Sequence, residues 1–144
     1  APTEMSVSDR RATVTNGKAA CDVDFLWPEN LSLSQTDQFD TPPRPRIKLV
    51  EYHLTATPDE AAGEQMFVTV IRPYKSESQS EVTIEANERT GKGYGIRLNT
   101  PQGKAWVLMQ KDSGADMAWD GQSTSSAMSV AIESEGKDIA RFDH

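Results

Sequence analysis

Two histidines, three tryptophans and a short run of cations are the residues of this 144-residue sequence best suited to chemistry. His53 lies in Val50-Glu51-Tyr52-His53-Leu54, where strand alternation would put it on the face of Glu51 and turn Tyr52 away. An imidazole acting as a base or metal ligand needs convergent partners, and the spacing offers Glu51 alone. We therefore take His53 as a candidate ligand contact, not as a catalytic residue. Trp119 stands beside Asp120-Gly121, a turn dipeptide. An indole face exposed there would suit the C–H face of a pyranose ring, whereas Trp27 and Trp106 fall within alternating stretches and read as core. Arg44, Arg46 and Lys48 place three cations within five residues. Such a strip could pair with carboxylates or sulfates, or could simply protect a solvated strand edge.

Other motifs argue against familiar chemistries. Asp112, Asp116 and Asp120 are spaced four apart, whereas a calcium-binding EF-hand loop needs ligands at alternate positions, a central glycine and a late glutamate. They read as turn carboxylates. Gly91, Gly93 and Gly95 do not match the dinucleotide fingerprint, which needs a following helix and a different last spacing, so a hairpin or bulge is expected. There is no P-loop, nucleophile elbow or zinc-binding pair. The single cysteine, Cys21, lies in an alternating stretch and reads as a small buried hydrophobe. We expect no catalytic residue, no metal and no cofactor in this chain.

Composition narrows the partners. The net charge is −7, from 15 basic and 22 acidic residues, and no polybasic block breaks the even spread. Nucleic-acid binding, which depends on a concentrated positive face, is not expected. No apolar run approaches the ~20 residues of a membrane-spanning helix. The sequence opens Ala1-Pro2 with no charged start before an apolar run, and we read it as a mature or processed chain.

The elements that would position these residues are strands. Asn16-Gly17 separates Arg11 to Thr15 from Lys18 to Trp27, which predicts a type I′ hairpin. In the second strand Cys21, Val23 and Phe25 share one face and Asp22 and Asp24 the other, the alternation of a half-buried strand. Gln65 to Arg72 is almost continuously apolar, suggesting a central strand that Pro73 ends. Asp59 to Ala62 could form one helical turn at most. Further turns fall at Thr100 to Gly103, Ser113-Gly114, Asp120-Gly121 and Glu135-Gly136. Roughly ten short strands at such spacings predict an all-β antiparallel sandwich with little or no helix. We take residues 1–144 as one domain, with a polar loop or sub-boundary near 75–80.

A family resemblance adds to this reading. Phe25-Leu26-Trp27-Pro28-Glu29-Asn30-Leu31, the proline-rich Thr41 to Arg46, Glu51 to Ala56 and Met66 to Tyr74 follow one another in an order that resembles the C-terminal β-sandwich of heparinase II/III-like polysaccharide lyases. The resemblance covers roughly residues 20–75 and is weaker from Gly93 to Leu98 onward. It implies a non-catalytic C-terminal domain of a longer bacterial lyase. Its partners would be the helical toroid and central sandwich of that lyase, and acidic polysaccharide where it touches the chain at Trp119, Arg44, Arg46, Lys48 or His53. The family's catalytic tyrosine and histidine and its zinc ligands have no counterpart among these residues. The implied location is periplasmic or secreted. A free-standing carbohydrate-binding module and a structural or interaction domain of an exported protein are the alternatives.

Overall fold

The computed structural model describes residues 3–37, 52–60, 63–112 and 114–144. The described residues are all-β: thirteen strands in antiparallel sheets and ribbons, with no helix. None of them forms a helix long and apolar enough to cross a membrane. The chain divides into two compact units, residues 1–80 and 81–144, and the change falls just after the polar stretch noted in the sequence. The candidate helical turn at Asp59 to Ala62 lies partly outside the described residues; Asp59 and Glu60 form a bend.

The first unit holds a four-stranded sheet in the order β1 (Glu4–Ser8), β2 (Arg11–Asn16), β3 (Ala19–Trp27), β6 (Val68–Lys75). A ribbon of β4 (Leu31–Thr36) and β5 (His53–Pro58) runs beside β1, where Gln35 Nε2 donates to the Met5 carbonyl at 2.9 Å. The β2–β3 hairpin forms as expected, but its turn is shifted by one residue. Asn16 pairs with Ala19, so Gly17 and Lys18 are the central residues, and of these only Gly17 has positive φ, at 60°. That is the pattern of a type II′ turn, which asks for glycine at the first central position, and not of type I′.

Two further expectations are corrected. Among the described strands the apolar run ending at Arg72 lies at the edge of its sheet and not at its centre, and Ile71 is 64% exposed. Pro73 does not end it; β6 continues to Lys75 with Pro73 opposite Cys21. An edge strand tolerates proline because the missing N–H can fall on the unpaired side of the ladder. The alternation in β3 is as expected, yet the carboxylate face is the more enclosed one. Asp22 and Asp24 are buried while Cys21, Val23 and Phe25 are half-buried.

The second unit is a five-stranded sheet in the order β13 (Lys137–Asp143), β12 (Met128–Ser134), β9 (Gly103–Gln110), β8 (Gly93–Thr100), β7 (Thr83–Arg89). A small hairpin of β10 (Met117–Trp119) and β11 (Gln122–Thr124) packs on it. The hairpin loop is Asp120-Gly121, with φ of 49° and 82°, and the β12–β13 loop is Glu135-Gly136, with φ of 53° and 73°. Both are two-residue loops with positive φ at each position, the type I′ pattern that the sequence signals. Trp106, Leu108 and Met117 form the core of this unit, with Trp119 packed against it.

Candidate functional site

In the first unit, the register of β2, β3 and β6 lines up Thr13, Asp22 and Arg72 across the sheet, with Arg11 and Asp24 in the next same-face row. The Arg72 guanidinium donates to Asp24 Oδ2 at 2.7 and 3.0 Å and to Asp22 Oδ2 at 3.3 Å. Arg11 Nε reaches Asp24 Oδ1 at 2.7 Å. Thr13 and Tyr74 hydroxyls both donate to Asp22 Oδ1, at 2.8 and 3.1 Å. Two carboxylates thus face two guanidiniums, and three of the four carboxylate oxygens are engaged directly in ion pairs. This balance lets buried charge persist, because an unpaired one would bear a large desolvation cost. The bond to Asp24 raises the Arg11 pKa, while desolvation and then the bond to Asp22 raise that of Tyr74. A phenol held protonated as a donor is poorly suited to act as a base. We read the network as architectural.

In the second unit, Trp119 lies over β8. A β-carbon at Gly95 would overlap its Cδ2 and Cε3 atoms, so glycine is what allows the ring to approach the sheet. Trp119 Nε1 donates to Glu88 Oε2 at 2.9 Å. Trp106 Nε1 donates to Asp120 Oδ2 at 2.7 Å, and Arg97 reaches the same oxygen at 2.5 Å. Arg97 also pairs with Glu85 at 3.1 Å. The Trp106 indole, seconded by Arg97, holds the Asp120 carboxyl below its ordinary value. The turn residue therefore fastens the hairpin to the sheet.

Beside that hairpin opens a polar cleft of about 480 Å³ lined by Asp116, Ser123, Thr124, Ser125, Ser126, Arg141 and Asp143. Alternation along β13 turns Arg141 and Asp143 to one face, where Arg141 Nε meets Asp143 Oδ2 at 3.1 Å and Nη2 donates to the Ser123 carbonyl. Ser129 and then Arg141 lower the Asp143 pKa, so it is a carboxylate at neutral pH. The Thr124 hydroxyl accepts from the Ser126 amide at 3.0 Å, which fixes the bend after β11. Hydroxyls, two carboxylates and a guanidinium converge here. Such a set can accept from and donate to a polyol, while its negative balance opposes an anionic one.

The candidates from the sequence are placed as follows. Trp119 is half-buried, with its ring packed and its N–H bonded. His53 is exposed at the start of β5, opposite Thr36, on the hydroxyl-rich face shared with Thr55 and Thr57. Arg44, Arg46, Lys48 and Glu51 lie outside the described residues. Among the described residues no group of three metal-ligating side chains is gathered. The sequence reading did not single out Arg141, Asp143 or the hydroxyls of 123–126; the run Ser123-Thr124-Ser125-Ser126 is the signal that could have pointed to them.

Comparison with family models finds no match to this chain, and comparison with curated proteins and with solved structures finds none either.

Proposed function

We propose that this chain is a non-catalytic accessory module that contacts glycan, serving the C-terminal end of an exported heparinase II/III-like polysaccharide lyase. The observation that carries the glycan part is the cleft of Asp116, Ser123 to Ser126, Arg141 and Asp143, a concave surface of converging donors and acceptors. The lyase part is supported by the resemblance over residues 20–75 and by an antiparallel all-β architecture compatible with it. The cleft suits neutral hydroxyls better than uronates or sulfates, because it sets two carboxylates against one guanidinium. Acidic polysaccharide would have to engage cations elsewhere, with Arg44, Arg46 and Lys48 the candidates from the sequence.

The test is affinity electrophoresis of the purified chain through neutral and uronate polysaccharides, with ultraviolet absorbance followed for unsaturated products. We expect retention without new absorbance. Arg141→Gln should weaken retention on a neutral glycan by about tenfold, the scale of one lost charge-assisted hydrogen bond. Retention on no glycan would overturn the module reading. New absorbance would overturn its non-catalytic part, and His53 would be the first residue to replace.

A further inference from the structure

We propose that the outer edge of β13 is a dimerisation surface, at which a second copy of this chain adds its own β13 in an antiparallel register centred on Phe142. Among the described strands β13 is the last of its five-stranded sheet, paired with β12 alone. Phe142 is 65% exposed on it, a large apolar side chain standing in water on an open strand. An open edge is a template for another strand, and proteins blunt it with charges, bulges or a covering segment. The bulge here falls early in the strand, where Ile139 is set out of register between Asp138 and Ala140. Beyond it Ala140 to His144 run in regular register with β12.

The backbone of that stretch fixes which groups point outward. Met128 and His144 exchange both ladder bonds, at 3.0 and 2.9 Å, so His144 turns its N–H and C=O toward β12. Antiparallel pairs alternate in this respect, so Phe142 and Ala140 do the same, opposite Val130 and Ile132. Arg141 and Asp143 therefore turn their backbone N–H and C=O away from β12, to the open side. A second strand can bond here only in a register that sets outward groups against outward groups. Centring on Phe142 does this. Arg141 then faces the second copy's Asp143, and Asp143 faces the second copy's Arg141, each pair exchanging two backbone hydrogen bonds.

The side chains single out a second copy as the occupant. Charges on an edge strand repel most strands, but Arg141-Phe142-Asp143 is complementary to itself when reversed. Cation meets carboxylate on both sides of the centre, and Phe142 meets its own counterpart in a non-hydrogen-bonded pair, the kind whose side chains lie closer. A register centred on Arg141 would instead set guanidinium against guanidinium. Arg141 and Asp143 already pair at 3.1 Å on one face of β13, with side chains 39% and 42% exposed. Pairing would join two such couples into one set of alternating charge. The contact is isologous, the two-fold form commonest among homo-oligomers. Its axis stands perpendicular to the joined sheet, so the polar clefts of both copies open on the same side. The dimer itself does not rest on the glycan reading.

The experiment is sedimentation velocity of the whole chain, without glycan, from micromolar to millimolar concentration. We expect a reversible rise from monomer to dimer mass and no larger species. Phe142→Lys sets like charges at the centre and removes the aromatic pair. It should weaken association at least about tenfold. Its thermal unfolding should stay close to wild type, because the ring it replaces is 65% exposed. Arg141→Asp and Asp143→Arg should each abolish self-association, since each sets like charges opposite one another. Mixed together, the two variants should associate, because one then presents two carboxylates to the two guanidiniums of the other. Monomer mass at every concentration, association that survives Phe142→Lys, or single charge variants that do not associate when mixed would overturn the proposal.

Discussion

In the first unit the buried side chains of the sheet include two carboxylates and a guanidinium; in the second unit the largest fully buried side chains are Leu108 of the sheet and Met117 of the hairpin packed on it. Both sheets are antiparallel and both bury one face of a strand, but they hold that face differently. Arg72 ties Asp22 to Asp24 within β3, and Arg11 adds a second cation from β2. In the second unit, a hairpin of six strand residues closes over β8 and β9 and is fastened at its turn by Asp120. The difference lies in what each arrangement loses when one side chain changes. An ion network fails by leaving a charge uncompensated, whereas a packed hairpin fails by losing fit.

The largest effect should therefore come from the first unit. Arg72→Met keeps much of the side chain's length and removes the shared guanidinium, leaving Asp22 and Asp24 enclosed with Arg11, Thr13 and Tyr74 as their remaining partners. We expect a loss of about 3–5 kcal/mol, the range for breaking a buried ion pair on one side. Urea unfolding gives the value. A loss below about 1 kcal/mol, the scale of exposed pairs, would mean that water reaches the network and that the two units do not differ in the way described.

A smaller effect is expected from Gly95→Ala. Gly95 and Trp119 meet so closely that a methyl group must push the indole off β8. Overpacking of this kind costs about 1–3 kcal/mol. The change should also break the Trp119 bond to Glu88 and alter tryptophan fluorescence in the native state. Unchanged fluorescence with wild-type stability would show that the hairpin is not seated by this contact.

The contrast also explains what could be read from the residues alone. The strands were legible because alternation and turn dipeptides are local: Asp120-Gly121 and Glu135-Gly136 make the loops their residue types suggest. The position of β6 was not legible. An apolar run looks the same at an edge as at a centre, and strand order depends on pairings between residues far apart, such as Val23 with Ile71. Which face of β3 is enclosed was hidden for a related reason. Asp22 and Asp24 read as solvent-facing until Arg72, about fifty positions later, is placed opposite them. The polyhydroxyl cleft escaped because serine runs are ordinary turn material, and it becomes a concave surface only when β13 brings Arg141 and Asp143 beside it. Trp119 was legible as the neighbour of a turn, whereas its packing on Gly95 depends on the hairpin folding back over β8.

The smallest effect tests the fastening of the hairpin by charge. Asp120 accepts from Trp106 and Arg97 through one oxygen, and its carboxyl is held below the ordinary 3.8, with the indole N–H the leading cause and partial burial opposing it. A group whose pKa is lower when folded contributes stability above its unfolded value and loses it as pH falls through the folded one. The Asp120 contribution should thus be full near neutrality and fade below about pH 4. Asp120→Asn preserves the turn, because asparagine also accepts the left-handed conformation that φ of 49° requires. It removes the charge facing Arg97 and Lys104. We expect the variant to be less stable at pH 7 and the gap from wild type to close as pH falls below about 4. Asp143 also titrates low in this unit, through Ser129 and Arg141, so acid will still weaken both proteins. Only the difference between them reports Asp120, and a difference constant from neutral pH to acid would mean that shape and the indole bond, not charge, hold the turn to the sheet.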